Sequence, residues 1–256
     1  MKTFGLFPVL VVLIVVVNVV AGCYSSVDAP QLCGVIAWSL TVVLLIGCFV
    51  LIGRVPPIVT WVGVLVDQRN KISLSRFQLV LWSLLVIATI ITEGILNALW
   101  KVPGPLTLNV PSQMWILLGL SSGSAVAAPI VLGMKADKGT LDTNAVMQHA
   151  WSDMFYGDET GNADQVDFSK VQQFFLTVVL VVAYATEVVR ILLHPSAATT
   201  DGKPMLYFPA LDTGLVALMG VSQVAYISYK ALPQSKTDAG NVVAPPPVVN
   251  PAPPPV

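Results

Sequence analysis

Six apolar runs limit what this chain can fold into. They cover Phe4–Ala21, Gly34–Gly53, Leu74–Leu99, Met114–Met134, Val171–Leu193 and Thr213–Tyr229. Each approaches the ~20 residues needed to cross the hydrocarbon core of a bilayer. A segment in lipid has no water to satisfy its backbone, so each run is expected as a helix. Composition points the same way. The chain is 55% hydrophobic and 11% charged, where a soluble domain carries about 25% charged residues. The last run is the least apolar, because it holds Ser222, Gln223 and Ser228. The expected fold class is an all-α polytopic membrane helix bundle of about six transmembrane helices. A net charge of −1 provides no global field for nucleic acid, so no nucleic-acid partner is expected.

Two of these runs look like copies of one another. Ser75-Arg76-Phe77-Gln78 opens a stretch that reaches Thr92-Glu93, and Ser169-Lys170-Val171-Gln172 opens one that reaches Thr186-Glu187. They align without a gap over 19 positions at an offset of 94. A second run follows in each, where Leu117-Leu118-Gly119-Leu120-Ser121 is answered by Leu218-Met219-Gly220-Val221-Ser222. The pattern predicts a parallel internal duplication of a helical hairpin. The units expected are a first transmembrane helix or signal anchor at 1–22 and a second transmembrane helix at 34–53. Two repeats follow at 54–140 and 141–231, each an interfacial helix plus a hairpin. A Pro-rich tail, expected to be disordered, occupies 232–256.

Basic residues orient the spans. With the N-terminus inside, ten fall on the cytoplasmic side: Lys2, Arg54, Arg69, Lys71, Arg76, Lys135, Lys138, Lys170, Lys230 and Lys236. Three fall outside, Lys101, Arg190 and Lys203. Both termini are then cytoplasmic, and both hairpins enter from one side, related by an axis along the membrane normal. A different reading attaches to Val20-Ala21-Gly22-Cys23, which resembles a lipoprotein signal whose cleavage leaves a lipidated Cys23. The length of the apolar core favours an uncleaved helix. Cys23 and Cys33 flank a short external loop, as a disulfide or as two free thiols. Cys48 is expected as an apolar filler. The cysteines and histidines show no metal-ligand spacing, so neither metal nor cofactor is expected.

The connectors carry the remaining charge. Pro56-Pro57 stops the second span, and Ile58–Val66 reads as an interfacial helix. Asp67-Gln68-Arg69-Asn70-Lys71 is a polar turn, after which Ser73 or Ser75 caps the third span. The second connector, from Lys135 to Lys170, has Trp151, Met154 and Phe155 as a short amphipathic patch and an acidic, turn-rich loop at Gly157–Asp164. The first connector is net basic and the second net acidic, so attraction between them is expected. The acidic loop does not have EF-hand spacing and reads as caps and a solvated loop.

Several residues are candidates for function. Glu93 and Glu187 each lie 17 residues beyond the basic residue that opens their span, or about 25 Å along a helix. They are expected at matching depth near the outer surface, as an ion or proton site or as interfacial anchors. Arg190 is the expected partner of Glu187, and Asn97 that of Glu93. Gly119-Leu120-Ser121-Ser122-Gly123 matches G-x-S-x-G. It lies within one helical run, without the strand-turn-helix setting or the facing His that a nucleophile needs. Helix packing is the expected role of Gly119, Ser121, Gly123, Ala127, Gly220 and Ser222. Arg76 and Lys170 are expected at lipid headgroups.

At Asp67-Gln68-Arg69-Asn70, Ser73–Gln78, Leu81-Trp82, Asp167–Gln172 and Leu218–Ser222 the chain resembles a motif of uncharacterised bacterial multi-pass membrane proteins. The resemblance would extend from about Asp67 to Lys230 and implies no activity. The resulting expectation is a membrane subunit or scaffold of a bacterial inner membrane, without enzymatic activity. It would meet lipid, copies of itself or other subunits of a membrane complex, and a partner for the Pro-rich tail. The alternative is a small channel or transporter with a polar site between the repeats near Glu93 and Glu187.

Overall fold

The computed structural model describes residues 5–25, 32–56, 59–102, 104–106, 110–137, 148–159, 162–195 and 206–231. The Pro-rich tail lies outside them. Six helices follow in order: α1 (Leu6–Tyr24), α2 (Leu32–Gly53), α3 (Leu74–Leu99), α4 (Ser112–Asp137), α5 (Phe168–Leu193) and α6 (Thr213–Ala231). The first five are long and apolar enough to cross a membrane. Among the described residues there is no strand, only isolated antiparallel bridges at Val66–Ile72 and Tyr156–Val166. The chain is a helical membrane bundle.

Helix α3 is the hub, packed against α1, α2, α4 and α5. Its centrality explains how it can bury polar residues. Gln78, Thr89, Thr92, Glu93 and Asn97 are all fully buried alongside Trp82, Ala88 and Leu96. Helix α5 sits further out, against α2, α3 and α6. One stripe of it is buried, through Lys170, Gln173, Thr177, Leu180, Tyr184, Val188 and Ile191, spaced three and four apart as a single helix face requires. Phe175, Val179 and Val182 point outward, as a lipid-facing surface should.

The starts and ends of α3 and α5 lie 94 residues apart, the offset of the sequence match. Their entries are also built alike. A 3-10 turn, Gly63–Leu65 or Trp151–Met154, precedes each. A bridge and a backbone bond follow, Ser73 N–H to the Leu65 carbonyl and Asp167 N–H to the Phe155 carbonyl. Arg76 then reaches back to the Val66 carbonyl and Lys170 to that of Tyr156, each at 2.6 Å. One difference is the cap. Asp167 accepts from the Ser169 N–H, whereas Ser73 makes no side-chain cap bond.

The first connector departs from expectation. In place of an interfacial helix over Ile58–Val66, its described residues form only the 3-10 turn and the strand-like return. Gly63 is pressed against the Gly53 backbone, where any Cβ would clash, so the segment is held on the end of α2. Asn70 takes φ of 60° at the turn apex, a left-handed conformation that Asn tolerates. The Asp67 carboxylate accepts from the backbone N–H groups of Arg69 and Lys71 and shapes that turn. Val62, Leu65, Val66, Ile72, Leu74 and Met154 then form a small core joining the two connectors. Stacking of Phe77 on Phe174, centroids 5.6 Å apart, extends it.

Candidate functional site

Two polar constructions stand out, one at each end of α3. At the connector end, Asp158 is gripped by three cations. Arg69 reaches it at 2.8 Å, Lys170 at 3.1 Å and Lys230 at 2.8 Å. Arg69 comes from the first connector, Lys170 from the start of α5 and Lys230 from the end of α6, so one carboxylate ties three elements together. Arg69 also pairs with Asp67 at 2.8 Å and donates to the Asp158 carbonyl at 2.9 Å. Lys71, nearby and buried, donates to the Gly157 carbonyl at 3.4 Å. The expected attraction between the connectors takes this form. The expectation of a solvated acidic loop fails for Asp158 and Glu159, which are both largely buried.

Electrostatics follow from that packing. Burial alone would raise the Asp158 pKa. The charges of Lys170, Lys230 and Arg69 outweigh it and hold the carboxyl well below the usual range. Lys71 is shifted the other way. Burial lowers its pKa, and the neighbouring Arg69 adds to the effect. Every cation here is an ordinary point charge or fork, and a carboxylate can accept from several at once.

Between this clamp and the other end lies a polar layer. Gln78 on α3 donates to Thr177 on α5 at 2.6 Å, and Gln223 on α6 donates to Gln78 at 3.0 Å. Ser222 donates to Gln173. Three helices are thus joined by direct side-chain bonds across the interior. Above the layer, Trp82 and Tyr184 meet edge to face, with centroids 6.3 Å apart.

The two glutamates share a place in the sequence match but not an environment. Glu93 is fully buried, and neither carboxylate oxygen has a hydrogen-bond partner. Thr92 Oγ1, Tyr184 Oη and Trp82 Nε1 are likewise buried without one. Asn97, the expected partner of Glu93, instead bonds twice to the Leu206 backbone, each at 3.0 Å. Glu187 is exposed and paired with Arg190 at 2.7 Å. Helix α3 is central and α5 peripheral, so the same residue faces the interior in one and the surroundings in the other. Thr186 and Gln172 are also exposed, unlike Thr92 and Gln78.

The small-residue positions divide too. Ser121 and Ser222 are buried, and Gly220 faces Leu120 across the α4–α6 contact. Gly119 and Gly123 meet no neighbouring helix, since a Cβ at either would have open space. The packed face of α4 runs through Met114, Leu117, Ser121, Ser124, Ala128 and Leu132. The glycines lie off that stripe, so their expected packing partner is not found among the described residues. Ala127 is half-buried. Cys23 is an exposed free thiol at the end of α1, and Cys33 and Cys48 are free as well. Among the described residues no three His, Cys, Asp or Glu side chains gather as a metal set.

The attraction between the connectors was legible in their charges, but the residues of the clamp and the buried Gln78 layer were not. Gln173, which sits in that layer, has no match in the first hairpin, where Leu79 stands. A further signal was Lys230, a cation closing a largely apolar run.

Fold and polar layer together define a multi-pass membrane protein held by interior side-chain bonds. No family model matches the chain, and neither a curated protein nor a solved structure matches it significantly.

Proposed function

We propose that this chain is a non-enzymatic membrane subunit or scaffold, of a bacterial inner membrane, built on a duplicated hairpin. The observation that carries the reading is the α3–α5–α6 interior. Gln78, Thr177, Gln173, Ser222 and Gln223 meet there in side-chain hydrogen bonds between helices. An interior occupied in this way suits a rigid framework. The likeness of the two helix entries supports descent from one hairpin, with the clamp on Asp158 fastening the halves. An uncleaved α1 is part of this reading, supported by the Asn18 side chain donating to Thr41 on α2 at 2.7 Å.

Assembly with a second copy or another subunit would use the outer face of α4. Gly119 and Gly123 present a flat surface there, and small residues allow close helix approach in lipid. Gly123→Leu is expected to leave the monomer's unfolding midpoint unchanged and to weaken association, read by native mass spectrometry in mild detergent. A destabilised monomer, or unchanged association, would count against this use of the face.

Orientation rests on the ten-to-three split of basic residues. A cysteine at Ser152 is expected to resist a membrane-impermeant thiol reagent in intact cells, and ready labelling would reverse the topology.

A second reading draws on Glu93. A carboxyl at full burial without a hydrogen-bond partner costs free energy in either protonation state, and intramembrane acids commonly serve ion or proton pathways. Reconstitution into vesicles with proton and cation flux readouts separates the readings. The scaffold requires no flux above that of empty vesicles.

A further inference from the structure

Beside the clamp is a partly open cavity of about 210 Å³. Its charged wall comes from the connectors and helix ends, and its apolar wall from Ala125, Ala128, Pro129 and Leu132 of α4. Five cations line it, Arg69, Lys71, Arg76, Lys170 and Lys230, against three carboxylates, Asp67, Asp153 and Asp158. Glu159 is buried next door but does not line it.

We propose that this cavity binds a phosphate group, with anionic glycerophospholipid as its principal source. The charge surplus is the first ground. Lys71, Lys170 and Lys230 are all nine-tenths or more buried; Asp158 pairs with Lys170 and Lys230, but Lys71 meets the neutral Gly157 carbonyl, and buried positive charge without full compensation is costly. A phosphate would supply the missing negative charge and accept several charge-assisted hydrogen bonds at once. It would also relieve Lys71, whose protonated form burial and Arg69 disfavour. The second ground is the shape of the lining. Polar and apolar walls face each other at the end of α4, as a headgroup with an acyl chain descending along Ala128 and Leu132 would need. Arg76 and Lys170 were expected at headgroups, and their side chains turn inward to this cavity. A basic pocket between helices is a recurrent form of lipid-headgroup site. The inference rests on membrane residence alone and not on the scaffold reading, so it survives if flux is found.

The experiment uses the full chain in mild detergent. Its unfolding temperature is measured with phosphatidylglycerol, with phosphatidylcholine and with inorganic phosphate, and lipid retention is read by native mass spectrometry. Phosphatidylglycerol is expected to raise the midpoint and phosphatidylcholine to leave it in place. Lys71→Gln is expected to weaken phosphatidylglycerol binding about tenfold, the loss of one charge-assisted bond. Arg54→Gln removes an equal charge outside the cavity and is expected to bind as the unaltered chain does. An equal rise with inorganic phosphate alone would keep the site and make free phosphate its source. Equal response to both lipids without a phosphate effect, or undiminished binding by Lys71→Gln, overturns the proposal. Should that variant not fold, photoactivatable phosphatidylglycerol is crosslinked to the unaltered chain. Adducts within 67–76 or on Ala125–Gly133 support the site, and adducts only elsewhere overturn it.

Discussion

Asp158→Asn is expected to lower the stability of the folded chain by about 3–5 kcal/mol, the usual consequence of removing one partner from a buried ion cluster. The amide keeps the shape and one acceptor oxygen, but the negative charge that holds Arg69, Lys170 and Lys230 together is gone. Three cations then face one another in a poorly solvated space. The measurement is the denaturant or thermal midpoint in detergent. Glu187→Gln is the control, because its pair with Arg190 is exposed and such pairs contribute about 0–1 kcal/mol. Equal midpoints for the two variants would dismiss the clamp as an energetic feature. The pH dependence has a definite sign. Asp158 is held below its usual pKa in the folded state, so its contribution is present above the unfolded carboxylate value of about 3.9. It is lost as pH falls through the lower folded value. The gap between the unaltered chain and Asp158→Asn is therefore expected to be constant near neutrality and to close only in strong acid.

The helices were legible because lipid imposes a local rule. A run such as Leu74–Leu99 must be largely apolar and must be helical, so its ends could be read directly from the sequence and recur in α3. Asp158 was not legible for the opposite reason. Its role depends on Arg69, Lys170 and Lys230, which approach from 89, 12 and 72 positions away in the chain. Read locally, Gly157–Asp164 is a turn-rich acidic loop and nothing more. Ile58–Val66 misled through composition. Val62, Val64, Leu65 and Val66 pack on the connector core, and Gly63 lies close against the Gly53 backbone. The glutamates show a further limit of pattern. Sequence matching aligns depth along a helix, but exposure depends on how many neighbours the helix has. The four helices packed around α3 put Glu93 inside, and the open side of α5 leaves Glu187 out.

That difference makes Glu93 the sharper test of what the molecule does. Replacing it with Met is expected to raise stability by about 1–4 kcal/mol, since well-packed apolar substitutes for buried charged groups often stabilise. Met is close in volume to Glu and adapts to irregular space. No hydrogen bond is given up, because neither oxygen makes one. Glu187→Gln, by contrast, is expected to stay within about 0.5 kcal/mol of the unaltered chain. A scaffold has no reason to keep a costly carboxyl unless folding specificity or a partner requires it, so the two measurements must be read together. Stabilisation by Glu93→Met with no flux in the unaltered chain leaves the scaffold in place and makes Glu93 a candidate contact for another subunit. If the unaltered chain conducts protons or cations and Glu93→Met both stabilises it and abolishes that flux, the carboxyl is maintained at a cost to folding because it carries the ion. A loss of stability in Glu93→Met would defeat both accounts, since it would mean that the carboxyl is held by favourable interactions, although neither oxygen has a hydrogen-bond partner here.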